Sequence, residues 1–349
     1  MSKKIVILTE ATEGGVLRHI TDLYTSFSEF SDIKIFLLLD FRRVHERELL
    51  KALDIPFTDV NTKNKKQIKD LLNYFQPDVC HIHSFKAEIN GTFAAKECAV
   101  PTVYTPHVFP FMRRNGTIID SFFKHFETKM SVYHKKIVCV SNSEYEAAIK
   151  VGIAREKLAV IQNGLRPLNN PLSKEEARLK WGISLTERVV ANRCRITPQK
   201  NIKLFFDVAK QVPQNMFLLW GNGNKKMLKN MPPNVRYMGI YDDINDVVNI
   251  PDVFLSTSRY EGMPYSVLES MQAGVKTVLT AVQGHTDFNN SKSAIIVPED
   301  SYSLGKQVRE LLNDNSVLSE YLLKNAKNHV EQLTVDSMRD KLYKIYLSI

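Results

Sequence analysis

The sequence predicts two α/β domains, each a doubly wound, Rossmann-like parallel sheet with helices on both faces. Short apolar segments rich in β-branched residues alternate with amphipathic segments along the 349-residue chain, which is too long for one compact core. The alternation breaks once, at residues 163–177, where prolines and four Asn or Gly residues replace the apolar periodicity. We therefore expect a linker there, between an N-terminal domain of residues 1–165 and a C-terminal domain of residues 166–333.

The N-terminal half contains six segments that are nearly continuous in apolar residues, as strands covered on both faces must be. They are KIVILT (4–9), IKIFLLL (33–39), DVCHIHS (78–84), TVYTPH (102–107), KIVCVS (136–141) and LAVIQNG (158–164). Helix-like segments such as residues 65–76 and 143–152 lie between them, and Ser143 and Glu146 stand at the spacing of a capping box. This order predicts βαβ units.

The C-terminal half repeats the alternation. Its strand-like segments are RVVANRCR (188–195), MFLLWGNG (216–223), NVRYMG (234–239), DVFLSTS (252–258), KTVLTA (276–281) and AIIVP (294–298), and the chain is helical in pattern from about residue 302 onward. Ligands of such sheets bind at the carboxyl ends of the strands. The loops that follow the strands are therefore the candidates for function.

Composition excludes several classes of protein. No apolar segment approaches the ~18 residues of a membrane span, and the apolar run after the first lysines is too short for a secretory signal, so we expect a cytoplasmic protein. The four cysteines show no C-x-x-C pair, which favours thiols in a reducing compartment. The net charge of +9 lies in residues 101–200, where 17 Lys and Arg face 8 Asp and Glu. This local excess favours a polyanion, an anionic membrane surface or a phosphorylated substrate, or it is a solvated basic face without a partner.

Two glycines follow the first predicted strand. Gly14 and Gly15 precede an amphipathic helix, where backbone N–H groups can approach an anion or the glycines serve only the chain reversal. The pattern is not G-x-G-x-x-G, and after the second strand only Asp40, beside Arg42 and Arg43, could bind a ribose. A dinucleotide oxidoreductase is therefore disfavoured.

His107 lies at the carboxyl end of a predicted strand, where an imidazole can belong to a site or have only a structural role. An apolar and basic loop follows it, with Phe109, Phe111, Met112, Arg113 and Arg114. This loop could contact a lipid-linked or membrane-surface acceptor, or it could simply cover the sheet edge.

Arg195 and Lys200 flank a loop in NRCRITPQKN (192–201) that leads from a strand into a helix. Two cations beside a helix N-terminus favour a diphosphate, which a forked guanidinium, a point-charge ammonium and backbone N–H groups can bind together. Arg193 is either a third cation of this site or a solvent-facing residue, and strand alternation, which places it on the same face as Arg195, does not separate the two arginines. The absence of G-x-x-x-x-G-K-[ST] argues against a P-loop NTPase.

The segment SRYEGMPYSVLESMQAG (258–274) places Glu261 in a turn and Glu269 inside the helix that the turn begins. Pro264 is a natural first helical residue, and backbone N–H groups at the helix start can bind an anion or a hydroxyl. A carboxylate is a bidentate partner for two vicinal hydroxyls. The two acids therefore suit two polyols flanking one diphosphate, as in a nucleotide sugar, although a capped helix with a solvated acid is the simpler alternative.

Together these motifs resemble the retaining glycosyltransferases of family 4, whose GT-B fold has two Rossmann-like domains facing across a cleft. The resemblance covers nearly the whole chain and rests on the double-glycine loop, YTPH, IVCVSNSE, VIQNG, RITPQKN and the specific E-x7-E signature from Glu261 to Glu269. The D-V-x-G motif of the family has a relaxed counterpart in AVQGHTD, with Gly284 and His285. Cys194 replaces the usual glycine before the diphosphate-binding arginine.

The resemblance implies a role for each matching residue. Arg195 and Lys200 would neutralise the donor diphosphate, Glu269 would hold the nucleotide ribose, and Glu261 the hydroxyls of the transferred sugar. The remaining implied positions are Gly15 near the diphosphate or acceptor, His107 beside the reacting sugar, and Gly262, Met263, Pro264, Tyr265 and Ser266 around the donor. Family members need no metal or other cofactor, and the helix of residues 334–349 is expected to cross back onto the N-terminal domain.

The implied function is retaining transfer of a hexose or N-acetylhexosamine from a nucleoside-diphosphate sugar, with UDP favoured, to a glycan acceptor. The favoured acceptor is a polyprenyl-diphosphate-linked saccharide in capsule, exopolysaccharide or O-antigen synthesis, at the inner face of the cell membrane. A GDP-mannose-dependent mannosyltransferase, a nucleotide-sugar epimerase and a phosphorylase are the alternatives on a similar scaffold. A nucleic-acid-binding protein is disfavoured, because aromatic residues are not interleaved with the basic ones.

Overall fold

Parallel strands form two separate sheets in the computed structural model, which describes residues 2–11, 13–41, 54–313 and 317–349, without the side chains of Val317 and Leu318. The chain divides into two units, Met1–Gly164 with Leu333–Ile349, and Leu165–Gln332. None of the helices in these described ranges is long and apolar enough to span a membrane.

The sheet of the first unit has seven parallel strands in the order β3-β2-β1-β4-β5-β6-β7. They are β1 (Lys3–Thr9), β2 (Ile33–Leu39), β3 (Thr58–Asp59), β4 (Val79–His83), β5 (Thr102–Thr105), β6 (His134–Cys139) and β7 (Leu158–Val160). Six of them confirm the predicted segments, and β3 escapes prediction because two residues carry no periodicity. The register pairs Thr9 with His83 and His83 with Thr105, so the loops after β1, β4 and β5 leave the sheet side by side.

Before the second unit, the described residues form the α-helices α1 (Gly14–Ser26), α2 (Lys65–Phe75), α3 (Phe85–Glu97), α4 (Thr117–Met130) and α5 (Asn142–Lys150). The predicted capping box of α5 was wrong by two residues. Ser141 is the N-cap: its hydroxyl accepts from the Glu144 N–H at 3.2 Å, and Glu144 Oε2 accepts from the Val140 N–H at 2.7 Å. The S-x-x-E pattern occurs twice in SNSEYE, and the helix uses the first copy because β6 ends directly before it.

Asp40 has a structural role in the first unit. Its buried carboxylate accepts hydrogen bonds from the N–H and the hydroxyl of Thr62, at 2.9 and 2.7 Å. Oδ2 of Asp40 is thus engaged in a loop contact, and this structural role agrees with the prediction that the protein is not a dinucleotide oxidoreductase. Arg42 and Arg43, beside it in the sequence, lie outside the described residues.

The sheet of the second unit has the order β10-β9-β8-β11-β12-β13, again with parallel neighbours. Its strands, all six of which were predicted, are β8 (Val189–Arg193), β9 (Met216–Trp220), β10 (Val235–Gly239), β11 (Val253–Ser256), β12 (Lys276–Thr280) and β13 (Ile295–Val297). Its helices are α6 (Lys174–Lys180), α7 (Ile202–Gln211), α8 (Tyr265–Gln272), α9 (Asp287–Asn290), α10 (Ser301–Asn313) and α11 (Val317–Glu331). Since β8 lies between β9 and β11, the loops that follow these three strands are neighbours.

The predicted linker is shorter than residues 163–177. Helix α6 begins inside it, because Ser173 and Glu176 form a capping box: the Ser173 hydroxyl accepts from the Glu176 N–H at 3.2 Å, and Glu176 Oε2 accepts from the Ser173 N–H at 2.9 Å. The linker prediction was wrong at this end, since seven helical residues are too few to show an apolar period.

The last helix, α12 (Val335–Ser348), belongs to the first unit, which confirms that the C-terminal helix returns to the N-terminal domain. Met338, Leu342 and Tyr346 are buried in the core that Leu17 of α1 shares with the sheet. The Tyr346 hydroxyl lies 2.6 Å from Nδ1 of His81 in β4.

Candidate active site

Lys200 and Glu261 form an ion pair at the carboxyl ends of β8 and β11. Lys200 ends a 3₁₀ turn, Pro198–Lys200, and its Nζ lies 2.5 Å from Glu261 Oε1, while Gln199 Nε2 donates to Glu261 Oε2 at 3.3 Å. Glu261 is only 5% exposed, and burial alone raises its pKa, but the Lys200 ammonium favours the carboxylate and the net shift of the pKa is downward. Glu261 is therefore ionised at neutral pH and offers acceptors only.

Gly284 holds the turn that carries Glu261. The Glu261 N–H donates to the Gln283 carbonyl at 3.0 Å, and a Cβ built on Gly284 would lie 2.3 Å from the Glu261 carbonyl oxygen. Gly284 also has φ +86°, a left-handed conformation that costs a residue with a Cβ about 1–2 kcal/mol. The glycine of the relaxed D-V-x-G motif is thus required by close backbone packing behind Glu261.

Arg193 and Arg195, which the sequence could not separate, occupy different environments. Arg193 is buried at the end of β8, where its Nη2 donates to the Ser266 carbonyl at 3.1 Å and to Ser270 Oγ at 2.9 Å, and lies 3.7 Å from Glu269 Oε2. Arg195 is exposed. The expectation of a shared face was wrong because β8 ends at Arg193, so strand alternation does not extend to residue 195. Arg193 therefore anchors α8 and Glu269, and Arg195 remains accessible to a ligand.

Two glycines after β9 fix the loop that carries Arg195. The Ile196 N–H donates to the Asn222 carbonyl at 2.7 Å, which extends the pairing of β8 and β9 beyond the strands. A Cβ on Gly221 would lie 1.8 Å from the Cys194 carbonyl oxygen, and one on Gly223 would lie 2.5 Å from that of Ile196. The sequence analysis did not select these glycines of LLWGNGN as functional, although two glycines at alternate positions after a strand are a signal of such close backbone approach.

Cys194, the departure from the family pattern, is compatible with this loop. Burial raises the pKa of its thiol to about 12, so the side chain is uncharged at neutral pH. Only its backbone takes part in the loop pairing, through the N–H that donates to the Trp220 carbonyl at 3.0 Å. The thiol therefore adds no negative charge beside Arg195.

The start of α8 lies between the two predicted carboxylates. Pro264 is the N-cap with extended backbone (φ −75°, ψ 119°), so the helix begins at Tyr265, one residue later than predicted. Gly262, Met263, Pro264 and Tyr265 are buried and Ser266 is half-buried. The first N–H groups of a helix have no intrahelical acceptor and carry its positive dipole end. Glu269, 5% exposed, lies one turn into the helix.

In the first unit, His107 lies beside α1, the helix whose first turn contains Gly15. His107 is half-buried with φ +57°, and its Nε2 lies 2.9 Å from Nδ1 of His83 at the end of β4. Its ring also meets the edge of His19, which lies on α1 one turn after Gly15, at a centroid distance of 4.9 Å. Burial, with smaller contributions from the neighbouring imidazoles, holds the pKa of His107 well below 6.5, so the ring is neutral at neutral pH.

Two family models match this chain. Residues 14–167 match the model described as Glycosyltransferase Family 4, and residues 173–329 match the model described as Glycosyl transferases group 1. The chain belongs to the family 4 glycosyltransferases. The double-glycine loop and YTPH lie within the first range, and RITPQKN and the E-x7-E signature lie within the second.

The sequence of this glycosyltransferase is similar to those of named relatives over most of its length. The Escherichia coli UDP-Gal:alpha-D-GlcNAc-diphosphoundecaprenol alpha-1,3-galactosyltransferase is 24% identical over 327 residues, which cover 86% of this chain and 84% of the relative. The Campylobacter jejuni N,N'-diacetylbacillosaminyl-diphospho-undecaprenol alpha-1,3-N-acetylgalactosaminyltransferase is 23% identical over 323 residues, with the same coverages of 86% and 84%. The crystal structure of Anabaena HepE in complex with UDP and glucose is similar at a TM-score of 0.86 and 18% identity, over 99% of this chain and 100% of that one. This structural likeness confirms the predicted GT-B fold class.

The loop after His107 packs inward in the glycosyltransferase. Phe109 and Phe111 are 0% and 7% exposed and stack on each other with ring centroids 5.0 Å apart. Arg113 donates to the Val108 carbonyl at 3.3 Å, and Arg114 is exposed. Their burial in the first unit favours the alternative in which the loop covers the sheet edge, and a contact of these two phenylalanines with a lipid or an acceptor stays a prediction.

Three imidazoles are the side chains of the described ranges that could hold a metal ion. Ring nitrogens of His19, His83 and His107 lie within 4.8 Å of one another. A tetrahedral zinc ion with bonds of about 2.1 Å would bring them to roughly 3.4 Å, so the rings would have to move to bind it. The expectation of a metal-independent enzyme stays a prediction.

His285 makes the stability of the second unit depend on pH. Burial lowers its pKa to about 4, while its ordinary value is 6.5. Between these values the unfolded chain binds a proton that the folded chain does not, so stability falls as the pH falls through this window, by about 2 kcal/mol at pH 5. We expect urea unfolding followed by tryptophan fluorescence to show this loss, since both tryptophans, Trp181 and Trp220, lie in this unit.

The substitution His285→Gln is expected to flatten this pH dependence by about the same amount. His125→Gln, at an exposed position of α4, is the matched control. An unchanged slope in His285→Gln would show that other groups cause the loss.

Proposed function

We propose that this glycosyltransferase transfers a hexose or an N-acetylhexosamine from a UDP-sugar to a lipid-linked saccharide, with retention of the anomeric configuration. The observation that carries the proposal is the cation–carboxylate pair of Lys200 and Glu261 at the start of α8, with Glu269 on the same helix. Two relatives are named for transfer to diphosphoundecaprenol-linked sugars, and the HepE structure contains UDP, which supports the acceptor and donor classes. Such acceptors belong to surface polysaccharide assembly at the inner face of the cell membrane.

Donor binding uses groups that the second unit already orients. Lys200 exchanges part of its contact with Glu261 for the diphosphate, which Arg195 and the amides at the start of α8 also bind. Glu261, ionised and held by Gln199, accepts hydrogen bonds from hydroxyls of the transferred sugar. Arg193 holds Glu269 in place on α8. The two carboxylate oxygens of Glu269 accept hydrogen bonds from the vicinal hydroxyls of the ribose.

The reaction breaks the bond between the anomeric carbon and the diphosphate oxygen. The acceptor hydroxyl attacks the anomeric carbon from the face that the diphosphate leaves, and its proton passes to the departing phosphate oxygen. Negative charge grows on the diphosphate, and Lys200, Arg195 and the helix dipole stabilise it without a metal. Glu261 binds hydroxyls and is not a covalent nucleophile in this mechanism, and His107 acts beside the reacting sugar as a neutral imidazole.

Thermal stabilisation by UDP-, GDP-, ADP- and dTDP-sugars tests the donor. A UDP-sugar is expected to raise Tm most, by mass action on the folded state, and transfer to a diphosphopolyprenol-linked sugar should proceed in EDTA. Preferential stabilisation by GDP-mannose would contradict the UDP assignment and favour the mannosyltransferase. Epimerisation of donor alone, followed by NMR, would identify an epimerase instead, and a β-configured product would contradict retention from an α-linked donor.

Glu269→Ala is expected to raise the KM for the UDP-sugar by about 10–100-fold with a smaller effect on kcat, because the ribose contact is made equally in ground and transition states. Steady-state kinetics measure this split. A 2′-deoxyuridine donor should lose affinity with the wild-type enzyme but not with Glu269→Ala. Glu310→Ala, at an exposed position of α10, is the control. If Glu269→Ala discriminates between the uridine and 2′-deoxyuridine donors as strongly as the wild type does, Glu269 does not bind the ribose.

A further inference from the structure

Two buried imidazole nitrogens of the first unit have no hydrogen-bond partner among the described residues. They are Nε2 of His19, on α1, and Nε2 of His83, the last residue of β4. His19 is 1% exposed and His83 is 0% exposed. Buried polar atoms are almost always paired, so two such atoms on rings whose centroids lie 5.5 Å apart indicate that a ligand binds here.

The partner of the other ring nitrogen fixes the tautomer of His19. Its Nδ1 lies 3.0 Å from Oδ1 of Asn163, a buried amide oxygen that only accepts hydrogen bonds. Nδ1 therefore carries the proton and Nε2 carries the lone pair. Burial lowers the pKa of His19 to about 4, so the ring is neutral at neutral pH. A metal-binding histidine has this arrangement, because its second nitrogen donates to an oxygen that orients the ring.

His107 supplies a third imidazole from the loop after β5. Its Nε2 lies 2.9 Å from Nδ1 of His83. Ring nitrogens of His19, His83 and His107 lie within 4.8 Å of one another, so closing them around a zinc ion requires a contraction of about 1.4 Å at most. His107 is half-buried and lies outside a strand, so its ring is the one with the most freedom to move.

The neighbouring imidazole of His81 is already engaged at both nitrogens. Its Nδ1 lies 2.6 Å from the Tyr346 hydroxyl, and its Nε2 lies 2.8 Å from Oγ1 of Thr105. Its ring packs against that of His83 at a centroid distance of 4.1 Å, so it supports the site without being a ligand. A group of three imidazoles suits Zn²⁺, Cu²⁺ or Ni²⁺, whereas Mg²⁺ and Ca²⁺ prefer oxygen ligands.

We propose that His19, His83 and His107 bind a divalent transition-metal ion of the Zn²⁺ class, and that Asn163 orients the site through His19. Three protein ligands leave the fourth tetrahedral position to water. Ion binding requires no substrate. Its consequence rests on the proposed function: a metal-bound His107 is withdrawn from the reacting sugar, so the ion inhibits transfer. The ion is thus an inhibitor and not a cofactor, and transfer proceeds in EDTA.

Titration of the EDTA-treated full chain, without a histidine tag, with Co²⁺ tests the site. One equivalent is expected to produce the intense visible absorption of tetrahedral Co²⁺, and Zn²⁺ should abolish this absorption by displacing the ion. The four free cysteines are the alternative ligands, and a thiolate bound to Co²⁺ adds a near-ultraviolet band. Absence of the visible absorption, or presence of the thiolate band, would overturn the proposal.

Substitutions separate the ligands from their neighbours. His19→Gln and His107→Gln should each abolish Co²⁺ binding, whereas His134→Gln, at an equally buried position of the same unit, should bind like the wild type. Asn163→Ala should weaken binding by about 10–100-fold, the usual loss when the partner of a metal-bound histidine is removed. Circular dichroism identifies any variant that does not fold, and the half-buried His107 provides the variant least affected by burial. A folded His107→Gln chain that binds like the wild type, or an equal loss in His134→Gln, would refute the site.

Inhibition has a separate readout. With free Zn²⁺ set by a metal buffer, transfer should be half-inhibited near the dissociation constant from Co²⁺ displacement, and EDTA should restore it. The activity that remains in His19→Gln should be about tenfold or more less sensitive to Zn²⁺, whereas His125→Gln, at an exposed position, should be inhibited like the wild type. Binding without inhibition would refute the place of His107 beside the reacting sugar, and inhibition without Co²⁺ binding would refute the metal site alone.

Discussion

Replacing Lys200 with alanine is expected to lower kcat for sugar transfer by about 10²–10³-fold, the typical loss when one preorganised group is removed from a developing negative charge. The ammonium is 14% exposed and contacts the buried Glu261, so its position is set before the donor binds. Steady-state kinetics with a UDP-sugar and a diphosphopolyprenol-linked acceptor measure the effect. Lys203→Ala is the control, because Lys203 lies three residues later, is 83% exposed and pairs with Asp207.

The same substitution leaves Glu261 buried without its cation, so the pKa of Glu261 should rise and the free energy of unfolding should fall. The double variant Lys200→Ala/Glu261→Gln removes the unpaired charge and should recover stability without recovering kcat. Recovery of both would show that Lys200 acts only on the structure, and a kcat of Lys200→Ala within about twofold of the wild type would contradict its place at the diphosphate.

Gly284→Ala is expected to cost about 2–5 kcal/mol in the free energy of unfolding and to abolish most transfer activity. The new Cβ would lie 2.3 Å from the Glu261 carbonyl oxygen and 2.8 Å from that of Gly262, so the turn carrying Glu261 must move. The atoms nearest to this Cβ are all backbone atoms, so no flexible side chain can move aside to relieve the clash. Chemical denaturation measures the stability, and the KM for the UDP-sugar measures the displaced turn.

Gly274→Ala is the matched control for Gly284→Ala. Gly274 also has a left-handed conformation, φ +71°, but a Cβ there would meet nothing within 4 Å. The substitution Gly274→Ala should lower the free energy of unfolding by about 1–2 kcal/mol through backbone strain alone and leave kcat and KM unchanged. Equal effects of the two substitutions would show that strain, and not the contact with Glu261, explains the loss in Gly284→Ala.

Secondary structure was predictable where each element has its own periodicity. Runs that are mostly apolar identified every strand of four residues or more in the described ranges and the three-residue strands β7 and β13, because strands covered on both faces have few polar residues. The errors lie at boundaries. The N-cap at Ser141 and the capping box at Ser173 begin helices at positions that the flanking strand and the available hydrogen-bond partners decide, and several S-x-x-E patterns in one sequence cannot reveal that choice.

The predicted donor residues of the second unit lie on neighbouring loops. Lys200 and Glu261 are in direct contact, and Glu269 follows on α8, because β8 and β11 are adjacent strands. Their roles toward a sugar and a ribose remain predictions until the kinetic tests are made. The sequence analysis did not identify Arg193 as the partner of Glu269. Arg193 and Arg195 are only two positions apart in the sequence, and the structure distinguishes them because Arg193 is buried and Arg195 is exposed.

The sequence by itself determined the alternation of strands and helices, the family, and the cations and carboxylates that the donor site is predicted to use. These depend on local residue patterns, which a chain carries before it folds. Only the tertiary structure decided that Arg193 anchors α8 while Arg195 is exposed, that Gly221 and Gly284 are required by backbone contact, and that Phe109 is buried while Phe122 is exposed. Burial and contact between residues distant in sequence depend on how whole elements pack, and two phenylalanines thirteen positions apart carry no local mark of which one faces the core.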